Sequence, residues 1–178
     1  MKQCLILVDL QKDFVDGALG TPEAVAMLPR AVEKIRKFTG EIFVTLDTHG
    51  PDYLETAEGK KLPVPHCIRG TAGWRLHPAV AEALAGRAYT AVEKPTFGSM
   101  ELPSRIAGAV GEEPFSLELI GLCTDICVVS NALLLKAAFP EVPISVDAAC
   151  CAGVSPETHR AALETMRCCQ IDVIHAEG

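Results

Sequence analysis

Three residues far apart in the chain, Asp9, Lys94 and Cys127, are of the types that nucleophilic hydrolysis uses. A carboxylate can move a proton, an ammonium can hold charge and a thiol can attack. Cys127 follows a sharp turn, GLCTDIC, and falls in the first turn of a predicted helix. Unpaired N–H groups and the helix dipole at that place favour a thiolate. Asp9 lies at the end of the apolar run CLILVDL, where a carboxylate is costly to bury unless it is paired or used. Lys94, set beside an acid and a thiol, would hold the thiolate and orient Asp9. Each also has a plainer reading: Cys127 as one structural thiol among eight cysteines, Asp9 as a cap or hydrogen-bond acceptor, Lys94 as a surface lysine.

Asp47, His49 and His66 offer a second kind of chemistry. One carboxylate and two imidazoles hold a divalent ion while leaving coordination positions open, which suits a catalytic or substrate-binding metal. Asp-x-His arises often by chance, and the third ligand comes 17 residues after His49. His77 and His159 read as surface or helix-cap residues, and His175 has no evident partner.

What positions these residues is an alternation of short apolar runs and helical stretches. Strands are predicted over 4–10, 41–47, 88–94, 116–122, 143–149 and 171–176. Helices are predicted over 22–38, 78–86, 102–110, from Thr124 or Asp125 as cap to about Ala138, and over 156–169 with Ser155 as N-cap and Pro156 at the first position. Residues 48–75 read as a long irregular connection rich in Gly, Pro and charge, of the kind usually kept for function. The alternation implies an α/β, Rossmann-like three-layer αβα domain on a six-stranded, mainly parallel sheet, one domain over 1–178. In such a sheet ligands bind beyond the carboxyl ends of the strands. Asp9, Asp47, Lys94, Cys123, Cys127 and Asp147 all fall at or just after predicted strand ends.

Composition narrows the partners. Apolar residues make up 49% of 178 residues, enough for a well-buried core. A net charge of -7 opposes nucleic acid and anionic membrane surfaces. The first residues do not form a signal peptide, and no run reads as a membrane span. Several of the eight cysteines sit in apolar runs and none is spaced as a zinc knuckle, so buried reduced thiols in a cytoplasmic protein are expected. A mean hydropathy of +0.25 leads us to expect a homo-oligomer.

Four segments, in order, resemble the isochorismatase-like superfamily of cysteine hydrolases and, within it, the nicotinamidases. LILVDLQKDF (5–14) resembles the strand-one motif with the catalytic Asp. LDTH (46–49) with PHCIRGTAGW (65–74) is similar to the metal motif and the Gly-Thr turn after it. VEKPTFGSM (92–100) resembles the segment bearing the lysine, and IGLCTDICVVSNAL (120–133) the nucleophile motif.

The resemblance implies a catalytic triad of Asp9, Lys94 and Cys127, a cis peptide between Leu122 and Cys123, and an oxyanion hole from the backbone N–H groups of Cys123 and Cys127. It implies a divalent metal on Asp47, His49 and His66, expected to be Zn²⁺ with Fe or Mn as the other ions. Phe14, Trp74 and Leu122 are expected to contact the substrate. The implied activity is conversion of nicotinamide to nicotinate and ammonia, within pyridine nucleotide salvage. Two departures stand out. GPDYLETAEGKK lacks the further His and the Ser-Phe pair that often follow Asp-x-His, and Pro63 stands where an aromatic residue is usual. The aromatic wall would then come from Phe14, Tyr53, Trp74 or Phe97. A carbamoyl or ureido substrate on the same triad, and a non-catalytic thiol-sensing domain, are the alternative readings.

Overall fold

The computed structural model describes residues 1–176. Six strands, β1 (Lys2–Val8), β2 (Glu41–Asp47), β3 (Thr90–Lys94), β4 (Phe115–Leu122), β5 (Ile144–Ala152) and β6 (Asp172–Ile174), form one sheet in the order β3-β2-β1-β4-β5-β6. Every pairing is parallel. The strand order runs outward from β1 in both directions, so the crevice for a ligand lies where β1 and β4 diverge.

The helices are α1 (Lys12–Val15), α2 (Pro22–Lys37), α3 (Ala57–Lys61), α4 (Pro78–Ala83), α5 (Leu102–Val110), α6 (Val129–Ala138) and α7 (Pro156–Cys168). Alternation along β1 sorts the two cores. Cys4, Ile6 and Val8 pack on the face covered by α5, α6 and α7, while Leu5 and Leu7 pack on the face covered by α2 and α4. This is the three-layer α/β arrangement expected from the sequence. Thr21 caps α2, and Ser155 caps α7 in a capping box with Thr158.

Three local expectations are corrected. The 48–75 connection is not wholly irregular: a 3-10 helix (Tyr53–Glu55) and α3 lie within it. The chain after β4 enters a π-helical turn (Thr124–Val128) before α6 begins, and neither Thr124 nor Asp125 caps it. Thr124 instead meets His159 Nδ1 at 2.8 Å, and Asp125 accepts the Val154 N–H. β5 runs on to Ala152 because residues 147–150 bulge: Leu119 pairs with Val146, but Gly121 pairs with Cys151. Asp147 therefore lies within the strand.

At the β1–β4 divergence the backbone is shaped to bring groups together. Gly121 has φ +126, and a Cβ there would meet the Val8 carbonyl oxygen at 2.0 Å, so only glycine fits. The Leu122–Cys123 peptide is cis, as the resemblance implied. Asp9 has φ +48, a left-handed conformation that turns the chain off β1 and that Asp tolerates better than most residues.

Candidate active site

Asp9, Lys94 and Cys127 meet beyond the strand ends. Lys94, at the end of β3, is 1% exposed despite its charge. Its Nζ lies 2.6 Å from Asp9 Oδ2 and 3.5 Å from Cys127 Sγ, and it donates to the Thr96 carbonyl at 3.1 Å. Asp9 is wholly buried. Its Oδ1 accepts the Thr45 hydroxyl at 2.6 Å, so a β2 side chain fixes the carboxylate plane. Asp9 Oδ2, buried with the rest of the side chain, takes the charge of the Lys94 ammonium in a buried ion pair.

The electrostatics follow from burial and these neighbours. Burial pushes the Asp9 carboxyl above its ordinary range, against the pull of Lys94. Burial opposes charge on Lys94 too, but Asp9, Cys127 and Asp47 outweigh it and keep the ammonium charged. Burial raises the Cys127 thiol well above an ordinary cysteine, and the charge of Asp9 raises it further, while Lys94 pulls the other way. Burial thus works on Cys127 against the helix-dipole expectation, and Lys94 works with it. Burial likewise raises the neighbouring Cys123 thiol to about 12.

Asp47 ends β2, and His49 follows it. His66 reaches the same point from the connection, through a backbone bridge pairing His49 with Ile68. One ligand atom from each of Asp47, His49 and His66 lies within 4.8 Å of the others, as a shared divalent ion requires. His66 Nδ1 faces the Val64 carbonyl at 2.8 Å, so Nδ1 carries the proton and Nε2 is left to bind metal. Asp47 Oδ2 lies 2.9 Å from His49 Nε2. Tyr53, 1% exposed, packs edge-on against both imidazoles and donates its hydroxyl to the Leu62 carbonyl.

Sequence reasoning missed two residues here. Glu58 Oε1, from α3, stands 3.6 Å from His66 Nε2 and 3.8 Å from His49 Nε2, where it can complete the donor set. Gln11, fully buried, clamps Asp47 at both ends of its peptide: its Oε1 accepts the Asp47 N–H at 2.7 Å and its Nε2 donates to the Asp47 carbonyl at 2.8 Å. Nε2 also donates to the Trp74 carbonyl. The signal for Gln11 was an amide two residues after the acid in DLQKDF; that for Glu58 was a carboxylate in the stretch that lacks the usual His.

A cavity of about 590 Å³ opens over both groups. It is lined by Asp47, His49, His66, Cys123 and Cys127 on the polar side, and by Phe14, Ile126, Leu62 and Phe97 among the apolar walls. Phe14 lines it as expected. Trp74 and Leu122 do not. The Trp74 indole turns aside to donate to Thr48 Oγ1, and Leu122, 1% exposed, packs in the core. Phe97, 46% exposed, supplies the second aromatic wall.

Asp147 is not brought to this edge. It pairs with Lys34 of α2, which also pairs with Glu118, and its Oδ2 lies 3.2 Å from His175 Nδ1. His175 thus has a partner after all, and half-buried His159 is a structural contact of the nucleophile turn. His77 caps α4 as read.

Residues 3–178 match the family model for the isochorismatase domain. The chain is 27% identical over 184 residues to a nicotinamidase/pyrazinamidase of Mycobacterium tuberculosis, covering 97% of this chain and 98% of that one. A crystal structure of nicotinamidase/pyrazinamidase from Bacillus subtilis superposes with a TM-score of 0.82 at 25% identity, over 97% of this chain and 99% of the other. A pyrazinamidase of Pyrococcus horikoshii in complex with zinc superposes with a TM-score of 0.79 at 23% identity, over 98% and 99% of the two chains. Joined to the strand-end constellation, this end-to-end match makes the chain a member of the isochorismatase family of hydrolases, in its nicotinamidase-like branch.

Proposed function

We propose that this protein is a cysteine amidohydrolase that converts nicotinamide to nicotinate and ammonia through a thioester, acting as one domain over 1–178. The observation that carries the reading is Lys94 Nζ standing 2.6 Å from a buried carboxylate and 3.5 Å from a buried thiol on the floor of a cavity. The nicotinamidase names of the relatives supply the substrate.

In this mechanism Asp9 takes the Cys127 proton as sulfur bonds to the amide carbon. The carbonyl electron pair moves onto oxygen, held by the N–H groups of Cys123 and Cys127. The C–N bond then breaks, and Asp9 gives its proton to nitrogen, releasing ammonia. Water, losing a proton to Asp9, attacks the thioester; the C–S bond breaks and sulfur regains the proton. Lys94 keeps charge balanced as the negative charge passes between oxygen and sulfur. Phe14 and Phe97 wall the ring. Asp47, His49 and His66, with Glu58 beside them, would hold Zn²⁺, or Fe or Mn. The ion would supply a Lewis-acid point that orients a ring nitrogen or a bound water.

The test is ammonia release from nicotinamide by the purified protein, with and without chelator. Turnover that Cys127→Ala abolishes is expected; no release from nicotinamide by metal-loaded protein would sink the substrate assignment. Among the described residues no helix is long and apolar enough to cross a membrane. Six buried cysteines fit a reducing, cytoplasmic setting, and the high mean hydropathy fits a homo-oligomer.

A further inference from the structure

The loop after β3 carries two elements of the site: Thr96, whose carbonyl accepts from Lys94, and Phe97, the outer aromatic wall. Among these loop residues, Thr96 and Phe97 are exposed. An exposed loop holds a catalytic lysine and a substrate wall in register only if something rigid anchors it.

The anchor is Asn131 on α6, one turn after Cys127 and fully buried. Its Oδ1 accepts the Ser99 N–H at 2.9 Å. Its Nδ2 donates to the Phe97 carbonyl at 3.2 Å and to the Cys127 carbonyl at 2.8 Å. One N–H donor faces one side of the amide and two carbonyls face the other, so its orientation follows from its partners. A single side chain therefore ties the loop at two points and ties both to the backbone of the nucleophile. Gly98 lies against the same helix, where a Cβ would meet Leu134 Cδ1 at 2.5 Å and Ser130 Cβ at 3.4 Å. The Thr96 hydroxyl closes the loop on itself by donating to the Gly98 carbonyl.

We propose that Asn131 is the positioning residue of this site: by fixing the 95–99 loop to the nucleophile helix it sets where Phe97 walls the cavity and where Lys94 stands beside Cys127. Asn131 touches neither substrate nor the reacting atoms. This rests on the amidohydrolase reading for its kinetic consequences, and on the hydrogen bonds alone for its structural ones.

Asn131→Asp keeps the volume and the Ser99 contact but sets carboxylate oxygen against two carbonyls; Asn131→Ala removes all three bonds. With nicotinamide, Asn131→Asp is expected to raise KM and lower kcat, each by about tenfold, as the two lost donor bonds would allow. A residue that only supported folding would lower the melting temperature and leave both constants, per folded molecule, where they were. The sharper readout is a cycle with Phe97→Ala, which is expected to raise KM in the wild-type background. In Asn131→Asp it should add little, because the wall is already displaced. Additive KM effects, or unchanged KM and kcat, would overturn the proposal.

Alkylation of Cys127 by iodoacetamide, followed by mass spectrometry, needs no substrate assignment. It should slow by about tenfold in Asn131→Asp as Lys94 loses its fixed place near sulfur. An unchanged rate would overturn the proposal even if nicotinamide proved not to be hydrolysed. Should Asn131→Ala fail to fold, the isosteric Asn131→Asp carries both measurements.

Discussion

Lys94 Nζ lies 3.3 Å from Asp47 Oδ1, and this contact joins the two halves of the site. The same ammonium pairs with Asp9, while the other oxygen of Asp47 faces the imidazoles of His49 and His66. Lys94 at the end of β3 and Asp47 at the end of β2 are register partners, so sheet geometry itself sets their spacing. The Lys94 ammonium beside Cys127 and the Asp47 carboxylate beside the two imidazoles are thus fixed relative to each other by main-chain pairing.

The first prediction concerns the two active-site cysteines. Cys127→Ala should lower kcat on the order of 10⁴-fold or more, with the fold intact by circular dichroism. Cys123→Ala should retain activity to within about tenfold, because only its backbone N–H is assigned a role. Equal losses in the two variants would show that Cys123 takes part through its sulfur.

A second prediction follows from the sign of the thiol shift. Burial is the first cause of the raised Cys127 thiol and the Asp9 charge the second, while Lys94 opposes both. Removing the carboxylate in Asp9→Ala leaves Lys94 as the nearest charge, so the thiol should titrate lower. Alkylation of Cys127 at pH 7 should then speed up while turnover is lost. Lys94→Met should do the reverse to alkylation and also abolish turnover. Slower alkylation in Asp9→Ala would contradict the assigned electrostatics.

The metal donors give a third. His66→Ala should lose bound zinc, iron and manganese as measured by elemental analysis. Gln11→Ala and Glu58→Gln should weaken metal affinity by about 10- to 100-fold, the range usual for groups that orient ligands. Equal, negligible metal in wild type and His66→Ala would make the three donors a coincidence of packing.

The fourth concerns stability away from the site. Burial alone would raise the Asp147 carboxyl, but Lys34, through its hydrogen bond and charge, and then His175 hold it below its ordinary value. Its contribution is therefore present above about pH 4 and is lost as pH falls through the lowered folded value. Burial opposes charge on Lys34 as well, yet Asp147 and Glu118 raise its pKa, so its contribution persists below about pH 10 and fades at higher pH. Lys34→Ala leaves Asp147 with His175 and the Ala149 N–H but without its lysine, and should cost up to about 3 kcal/mol near neutral pH in denaturant unfolding. A loss below 1 kcal/mol would mean that the pair is solvated.

Much of this molecule could be read along the chain. Continuous apolar runs and helical spacing located the six strands, and parallel order placed Asp9, Asp47, Lys94 and Cys127 at one lip of the sheet. Those signals are local: burial on both faces selects apolar runs, and the rule of carboxyl ends does the rest. What chain order could not rank was the acids. Asp147 looked equivalent to Asp9 and Asp47 until the bulge in β5 turned it toward Lys34.

The sequence by itself determined which residue types stand at the strand ends, because backbone pattern and side-chain type are properties of neighbours in the chain. Only the tertiary structure decided that burial and Asp9 raise the Cys127 thiol, that Phe97 rather than Trp74 walls the cavity, and that Gln11, Glu58 and Asn131 reach the site from distant parts of the chain. Each of these depends on desolvation, charge or hydrogen bonds contributed by groups distant in sequence, and such terms exist only once the chain has closed around them.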